Sequence, residues 1–181
     1  MPSVADEAKK ILADNYVTQP PVPVFDIARK NGLKIDVTHF PVQYGHIRGF
    51  ITNEQSAYVM YVNADDSQRE QNFTIAHELG HWKLHKGELE KDLNKSILFR
   101  ISIADLNKDE LEKQANLFAA NLLIPDDLYF KYKDDLDQRG LADKFGVSED
   151  VIGYRLQLLK DEQEESEASD NVVQEEKTPD R

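Results

Sequence analysis

Residues 73–85 read FTIAHELGHWKLH and form the most informative segment of the chain. Its central segment, HELGH at residues 77–81, has the form H-E-x-x-H. On an α-helix, residues four positions apart lie on one face, with their Cβ atoms about 5–6 Å apart. His77 and His81 can therefore hold one metal ion, while Glu78 points aside toward a bound water. The pattern predicts a metal site on one turn of a long helix.

The chemistry expected of such a site is hydrolysis. Zinc in a hydrolytic site usually has three protein ligands and one open position for water. The ion lowers the pKa of that water to about 7 and polarises the carbonyl group of the substrate. His77 and His81 supply two ligands, and Glu78 is placed to take the proton of the water as general base. The third ligand has to come from elsewhere in the chain.

The strongest candidate for the third ligand is Glu112, on a helix predicted over about residues 109–124. The other residues on its helix face are small, apolar or an amide: Ala115, Asn116, Ala119 and Leu123. A carboxylate on this inward face needs a partner, because an unpaired buried charge is costly. A zinc ion would be that partner, and Lys or Arg from residues 87–106 is the alternative. Asn116 can hydrogen-bond a ligating histidine or Glu112.

Other ligand patterns fit the sequence less well. His85 continues the four-residue series, but eight residues of helix rise about 12 Å, too far from His77 to share one ion. The metzincin pattern would need glycine and histidine where this chain has Leu84 and Gly87. Four further carboxylates stay open as third ligand: Glu110, which shares a polar face, and Glu88, Glu90 and Asp92.

The order of the predicted elements indicates an α+β fold. Ser3 caps a first helix, a second helix covers about residues 24–30, and residues 33–38 form a strand. A hairpin of residues 47–52 and 57–63 follows. We expect a small antiparallel or mixed sheet packed on helices, which include the metal-binding helix.

The metal-binding helix is predicted from about Gln68 to Leu84, with a cap at Asp65, Asp66 or Ser67. Two or three short helices occupy residues 126–160. They are broken around Gly140 and Gly146, and Ser148 is expected to cap the last one.

The spacing of apolar residues in this C-terminal part is that of a helix-turn-helix, with Gly146 at the turn. DNA binding would need basic residues near the start of the second helix. That helix begins instead with Glu149 and Asp150, which phosphates would repel, and offers only Arg155 and Lys160. We therefore expect structural packing or protein contact and no direct nucleic-acid binding.

The net charge of −12 is concentrated at the C-terminus. Residues 161–181 contain nine acidic and two basic residues, and few apolar ones, so this segment is predicted to be a disordered acidic tail. The chain has no cysteine, which excludes thiolate ligands and disulfides. The sequence shows neither an apolar leader nor an apolar segment long enough to cross a bilayer, so we expect the protein in the cytoplasm.

Two segments, FTIAHELGHWKLH at residues 73–85 and LEKQANLFAANLLIP at residues 111–125, together resemble the ImmA/IrrE family of zinc metallopeptidases. Three outer segments extend the resemblance: PVPVFDIARKNGLKIDV, GFITNEQSAYVMYVNAD and LADKFGVSEDVIGYRLQLL. The resemblance covers roughly residues 5–160 and omits the tail.

The resemblance implies a gluzincin-like site with His77, His81 and Glu112 on Zn²⁺ and Glu78 catalytic. It implies a cytoplasmic bacterial or phage-borne endopeptidase that cleaves a helix-turn-helix repressor and so derepresses genes of a mobile element or a stress response. This chain departs from the family pattern at Gln114, where many members have a second glutamate. Because Gln114 lies on the polar face of its helix, we expect no effect on metal binding. The alternative function is a non-proteolytic regulator that sequesters a partner, as in toxin–antitoxin pairs.

This interpretation divides the chain into three parts. Residues 1–125 are expected to form a zincin-like metallopeptidase domain, residues 126–160 a C-terminal helical subdomain and residues 161–181 the disordered tail.

The sequence leaves the group that stabilises the transition state open. A donor such as tyrosine or histidine is required, and the candidates are His39, Tyr44, His46, Tyr58, Tyr61 and His85. The strand at residues 57–63 is a hypothetical edge for pairing with an extended substrate.

Overall fold

The computed structural model describes residues 3–55, 57–86 and 108–175, and it confirms the predicted α+β class. A stretch at residues 96–104, whose pattern fits a strand or a short helix, lies outside the described residues. The elements in chain order are α1 Val4–Asp14, α2 Val24–Lys30, β1 Leu33–Thr38, β2 Gly49–Glu54, β3 Ala57–Asn63, α3 Gln68–Leu84, α4 Lys108–Leu123, α5 Asp126–Tyr132, α6 Gln138–Phe145 and α7 Glu149–Glu175.

The described sheet is mixed and has the strand order β1-β3-β2. β3 pairs in parallel with β1 and antiparallel with β2. The hypothesis that residues 57–63 offer an open edge is therefore wrong, because β1 and β2 occupy both sides of β3. The hairpin pattern reveals only one of these neighbours, since β1 is separated from β3 in sequence by all of β2. Within the described sheet, the edges belong to β1 and β2.

One face of the sheet packs on α3, the helix that carries the H-E-x-x-H motif. Ile51 of β2 and Met60 and Val62 of β3 belong to the same buried core as Ile75 and Leu79 of α3. Successive side chains of a strand point to opposite faces, which places this apolar set on the helix side. The sheet therefore supports α3 along its length.

The start of α3 is fixed by Ser67, one of the three predicted caps. The Ser67 side chain accepts a hydrogen bond from the backbone N–H of Glu70, whose carboxylate accepts one from the N–H of Ser67 at 2.8 Å. This reciprocal pair satisfies two backbone donors that the helix itself leaves open.

Several predicted boundaries differ from the structure. β2 covers Gly49–Glu54 and not residues 47–52. It begins two residues late because the N–H of Ile47 donates to the carbonyl of Tyr44 at 2.9 Å and does not enter the ladder. Gly140 lies inside α6, where its N–H donates to the capping carboxylate of Asp137 at 2.7 Å. The predicted break at Gly146 is confirmed, since this residue ends α6 with a left-handed backbone at φ +67°.

The last helix is longer than the sequence suggests. α7 continues to Glu175, although disorder was predicted from residue 161 onward. Glutamate, glutamine and alanine are favourable helix formers, which explains how a polar segment can continue a helix that begins in the core. No helix in the described ranges combines the length and apolar character that crossing a membrane requires.

The C-terminal helices pack on the same core as the metal-binding helix. Leu141, Phe145, Val147 and Ile152 all belong to that core. Two polar contacts add to this packing between α6 and the first half of α3. Arg69 forms an ion pair with Asp143, and the Asn72 amide donates to the Gly146 carbonyl at 2.9 Å. The division at residue 125 stays a prediction.

Arg155 of α7 is buried and fixes this helix to the end of α4. Its guanidinium pairs with Asp126 and donates to the carbonyl of Ile124 at 3.3 Å. We predict that Arg155→Ala lowers the free energy of unfolding by about 2–3 kcal/mol, less than for a fully buried pair, because Asp126 is partly exposed and retains Lys9 at 3.4 Å. Urea unfolding tests this. Arg139→Ala, at an exposed position of α6, is the control; equal stability of both variants would contradict the prediction.

Candidate metal centre

Helices α3 and α4 pack directly against each other, and Gly80 sets their separation. A Cβ atom at Gly80 would lie 3.0 Å from Cδ1 of Phe118 and 3.3 Å from both Cα and O of Ala115. These contacts are tighter than side chains normally make, so a bulkier residue would push the helices apart. Because Gly80 lies between the two histidines of the motif, this close contact with α4 occurs at the turn that carries both of them.

The predicted ligands come together at this crossing. The Nε2 atoms of His77 and His81 are 3.0 Å apart. Oε2 of Glu112 is 3.3 Å from Nε2 of His77, and Oε1 of Glu112 is 3.4 Å from Nε2 of His81. The two histidines are buried, and Glu112 is about one-third exposed at 33%. One ligand atom from each residue lies within 4.8 Å of the others.

These separations fit a tetrahedral metal ion. With zinc–ligand distances of about 2.0–2.1 Å, neighbouring ligand atoms in a tetrahedron lie about 3.3 Å apart. Hydrogen bonds from His77 and then His81 hold the pKa of the Glu112 carboxyl well below its usual range, so the group is ionised. Two imidazole nitrogens and one carboxylate thus face a common point, which is a donor set suited to a divalent cation.

Asn116 lies where the helix spacing predicts it, one turn after Glu112. Its Oδ1 is 2.9 Å from Nδ1 of His77, so the amide oxygen can accept the N–H of that ring. Such a bond orients a ligating histidine and leaves Nε2 free for the metal. The buried Nδ1 of His81 has no hydrogen-bond partner in the part of the chain that the structure describes.

Glu78 is buried on α3, next to the start of β2. A Cβ atom at Gly49 would lie 3.7 Å from Cγ of Glu78 and only 2.5 Å from Cγ2 of Thr74. The strand can approach the metal-binding helix this closely only because residue 49 has no side chain.

The two rival ligands within the described residues, Glu110 and His85, do not join the three residues. Glu110 is exposed and accepts a hydrogen bond from Gln114 at 3.4 Å. The ring of His85 lies beyond His81, with centroids 5.8 Å apart. The remaining rivals, Glu88, Glu90 and Asp92, lie outside the described residues.

A cavity of about 400 Å³ opens beside the ligands. It is lined by His46, Ile47, Arg48, Phe73, Thr74, His77, Glu112 and Asn116. Of the candidate donors in the sequence, His46 is the one that lines it. His39 pairs with Asp65 at 2.7 Å, and the Tyr61 hydroxyl donates to Glu54 at 2.8 Å.

Sequence reasoning missed four of the lining residues. Phe73 and Thr74 precede His77 by about one helical turn, so the spacing that revealed the ligands could also have placed these two on the metal side of α3. Ile47 and Arg48 reach the cavity from the segment before β2, a long-range contact with no local signal in the sequence.

The paired histidines and the facing glutamate form a possible metal site on an α+β fold. A family model for peptidase family M78, described as the IrrE N-terminal-like domain, matches residues 31–157. The chain belongs to this family, which confirms the resemblance to the ImmA/IrrE proteins.

Two relatives are similar in sequence. The Metallopeptidase ImmA of Bacillus subtilis (strain 168) is 30% identical over 119 residues, 64% of this chain and 66% of that protein. The Uncharacterized immunity region protein 2 of Bacillus phage phi105 is 31% identical over 100 residues, 55% of this chain and 59% of that protein. The matches thus span less than two thirds of either relative.

A solved structure shares the fold. It is a Mycobacterium tuberculosis transcriptional regulator, with a TM-score of 0.62 and 16% identity. The alignment covers 84% of this chain and 46% of that one.

We predict that Glu112→Ala loses most of its bound zinc, because two imidazoles alone leave the ion with too few ligands. The loss of affinity should exceed the roughly 10–100-fold loss expected for Asn116→Ala, which removes only an outer hydrogen bond. Metal analysis after dialysis measures both. Glu110→Ala on the same helix is the control, and unchanged zinc content of Glu112→Ala would reassign the third ligand.

Proposed function

We propose that this protein is a zinc-dependent endopeptidase that acts on a protein substrate. The observation that carries the proposal is the convergence of His77, His81 and Glu112, with Glu78 next to the first histidine. Family membership and the similarity to a metallopeptidase support it.

In this proposal His77, His81 and Glu112 hold the ion, and Glu78 transfers protons. Zinc, when bound, supplies polarisation of the substrate carbonyl and a lowered pKa for water. The carboxylate of Glu78 accepts a proton from the attacking water and then donates it to the amine nitrogen of the leaving segment. Asn116 keeps the ring of His77 in one orientation throughout.

His46 is the donor that we assign to the developing oxyanion. It lines the cavity with His77, Glu112 and Asn116, whereas His39 and Tyr61 are engaged by carboxylates elsewhere. A ring N–H directed at the carbonyl oxygen would stabilise the charge that forms there.

The substrate that we propose is a helix-turn-helix repressor in the cytoplasm, and its cleavage would release genes of a mobile element. The names of the two relatives, a metallopeptidase ImmA and a phage immunity region protein, support this choice. The rival function, capture of a partner without cleavage, predicts a stable complex instead of fragments.

We predict that Glu78→Gln folds, retains zinc and does not cleave, because the amide cannot accept the proton of water. The zinc-loaded protein is incubated with a helix-turn-helix repressor from the same genome, with and without chelator, and the fragments are identified by mass spectrometry. Fragments that depend on metal and on Glu78 support the peptidase. Cleavage by Glu78→Gln removes this residue from the mechanism, and a complex without fragments supports partner capture.

We predict that His46→Ala lowers kcat by about 10²–10³-fold, as loss of one oxyanion donor does, with little change in KM or bound zinc. His39→Ala is the matched control, because this histidine is also exposed but pairs with Asp65. A wild-type kcat for His46→Ala, or an equal fall in both variants, would contradict the assignment.

A further inference from the structure

The cavity beside the metal ligands has an apolar wall built from two separate elements. Phe73 of α3 is half-buried and lies one turn before His77, with ring centroids 6.3 Å apart. Ile47, from the segment that leads into β2, is buried with 6% exposure. Both residues line the same cavity as the ligands His77 and Glu112. A group that enters the cavity therefore meets apolar side chains beside the bond to be cleaved.

The charge at this cavity is balanced. Among the residues that line the cavity, Arg48 carries a permanent positive charge. Its guanidinium pairs with the buried carboxylate of Asp66 and lies 3.8 Å from that of Glu70. Two carboxylates thus offset the positive charge, so the wall offers little attraction to an acidic side chain.

The volume suits a side chain of the substrate. A cavity of about 400 Å³ lies within the range of about 300–1,000 Å³ typical of ligand pockets. It has room for a leucine or phenylalanine side chain together with part of the peptide backbone. A side chain that packs against the apolar part of its wall is itself removed from water, which is favourable.

We propose that Ile47 and Phe73 form the subsite that selects a bulky apolar residue next to the scissile bond. This inference rests on the proposed endopeptidase function and names the substrate feature that the same site reads. Leucine or phenylalanine at that position should be preferred over alanine by about 10–200-fold, the discrimination that an apolar pocket provides. Aspartate should be rejected more strongly, because the guanidinium of Arg48 is already paired with Asp66.

Peptide hydroxamates bearing an alanine, leucine, phenylalanine or aspartate side chain test the subsite on the zinc-loaded 181-residue chain. Their affinities are measured by calorimetry, and quenched fluorescent peptides with the same side chains next to the scissile bond give kcat/KM. Phe73→Ala enlarges the cavity and should shift preference toward phenylalanine and tryptophan. Ile47→Phe fills it and should shift preference toward alanine. Opposite shifts of this kind do not arise from general damage to the fold.

Phe130→Ala is the control, because Phe130 is an aromatic residue of α5 with 47% exposure that does not line the cavity. Phe73→Leu replaces the alanine variant if that protein loses its zinc, with a smaller shift expected in the same direction. Unchanged side-chain preference in both cavity variants, or a wild-type preference for aspartate or alanine, would overturn the subsite. Zinc-loaded protein that binds leucine hydroxamate selectively but cleaves no peptide would overturn the endopeptidase function and leave the apolar subsite supported.

Discussion

The close contact of α3 with α4 is the constraint on which the candidate site depends. Two helices with ordinary side chains at their crossing lie about 8–10 Å apart, and a larger pair of residues increases that distance. Here Gly80 and the buried Ala115 meet at the crossing. Glu112 lies one turn before Ala115, so its carboxylate reaches the two imidazoles. The glycine of the motif thus has a packing role as definite as the chemical role of the residues around it.

Much of the site could be predicted because it is encoded by helical periodicity. The spacing of His77 and His81 and the apolar face that includes Ala115 and Ala119 are local patterns of regular helices. The same reasoning placed Asn116 against a ligand. The proposed oxyanion donor could not be chosen this way, because His46 lies in a turn whose direction depends on how β2 meets α3.

The fold could be predicted to a similar extent. The prediction failed where the structure depends on long-range contacts. Helix caps such as Ser67 and the hairpin of β2 and β3 are short-range features, and the structure has them. The position of β1 beside β3 is a long-range pairing, which alternation within a strand cannot specify. Helix α7 differs for another reason. The composition of residues 161–181 indicated too little apolar surface for this segment to fold by itself. A helix that begins in the core can nevertheless continue into it, because its residues have favourable intrinsic helix propensities.

Gly49 has a consequence for how proteins of this kind are recognised. Any side chain there would collide with Thr74 and with the carbonyl oxygen of Tyr61, so backbone and helix must meet without an intervening methyl group. A search pattern limited to the histidines, the glutamates and their spacing ignores this requirement. A pattern that also demands glycine at the first position of the upstream hairpin would separate sequences able to build this contact from chance occurrences of the short motif.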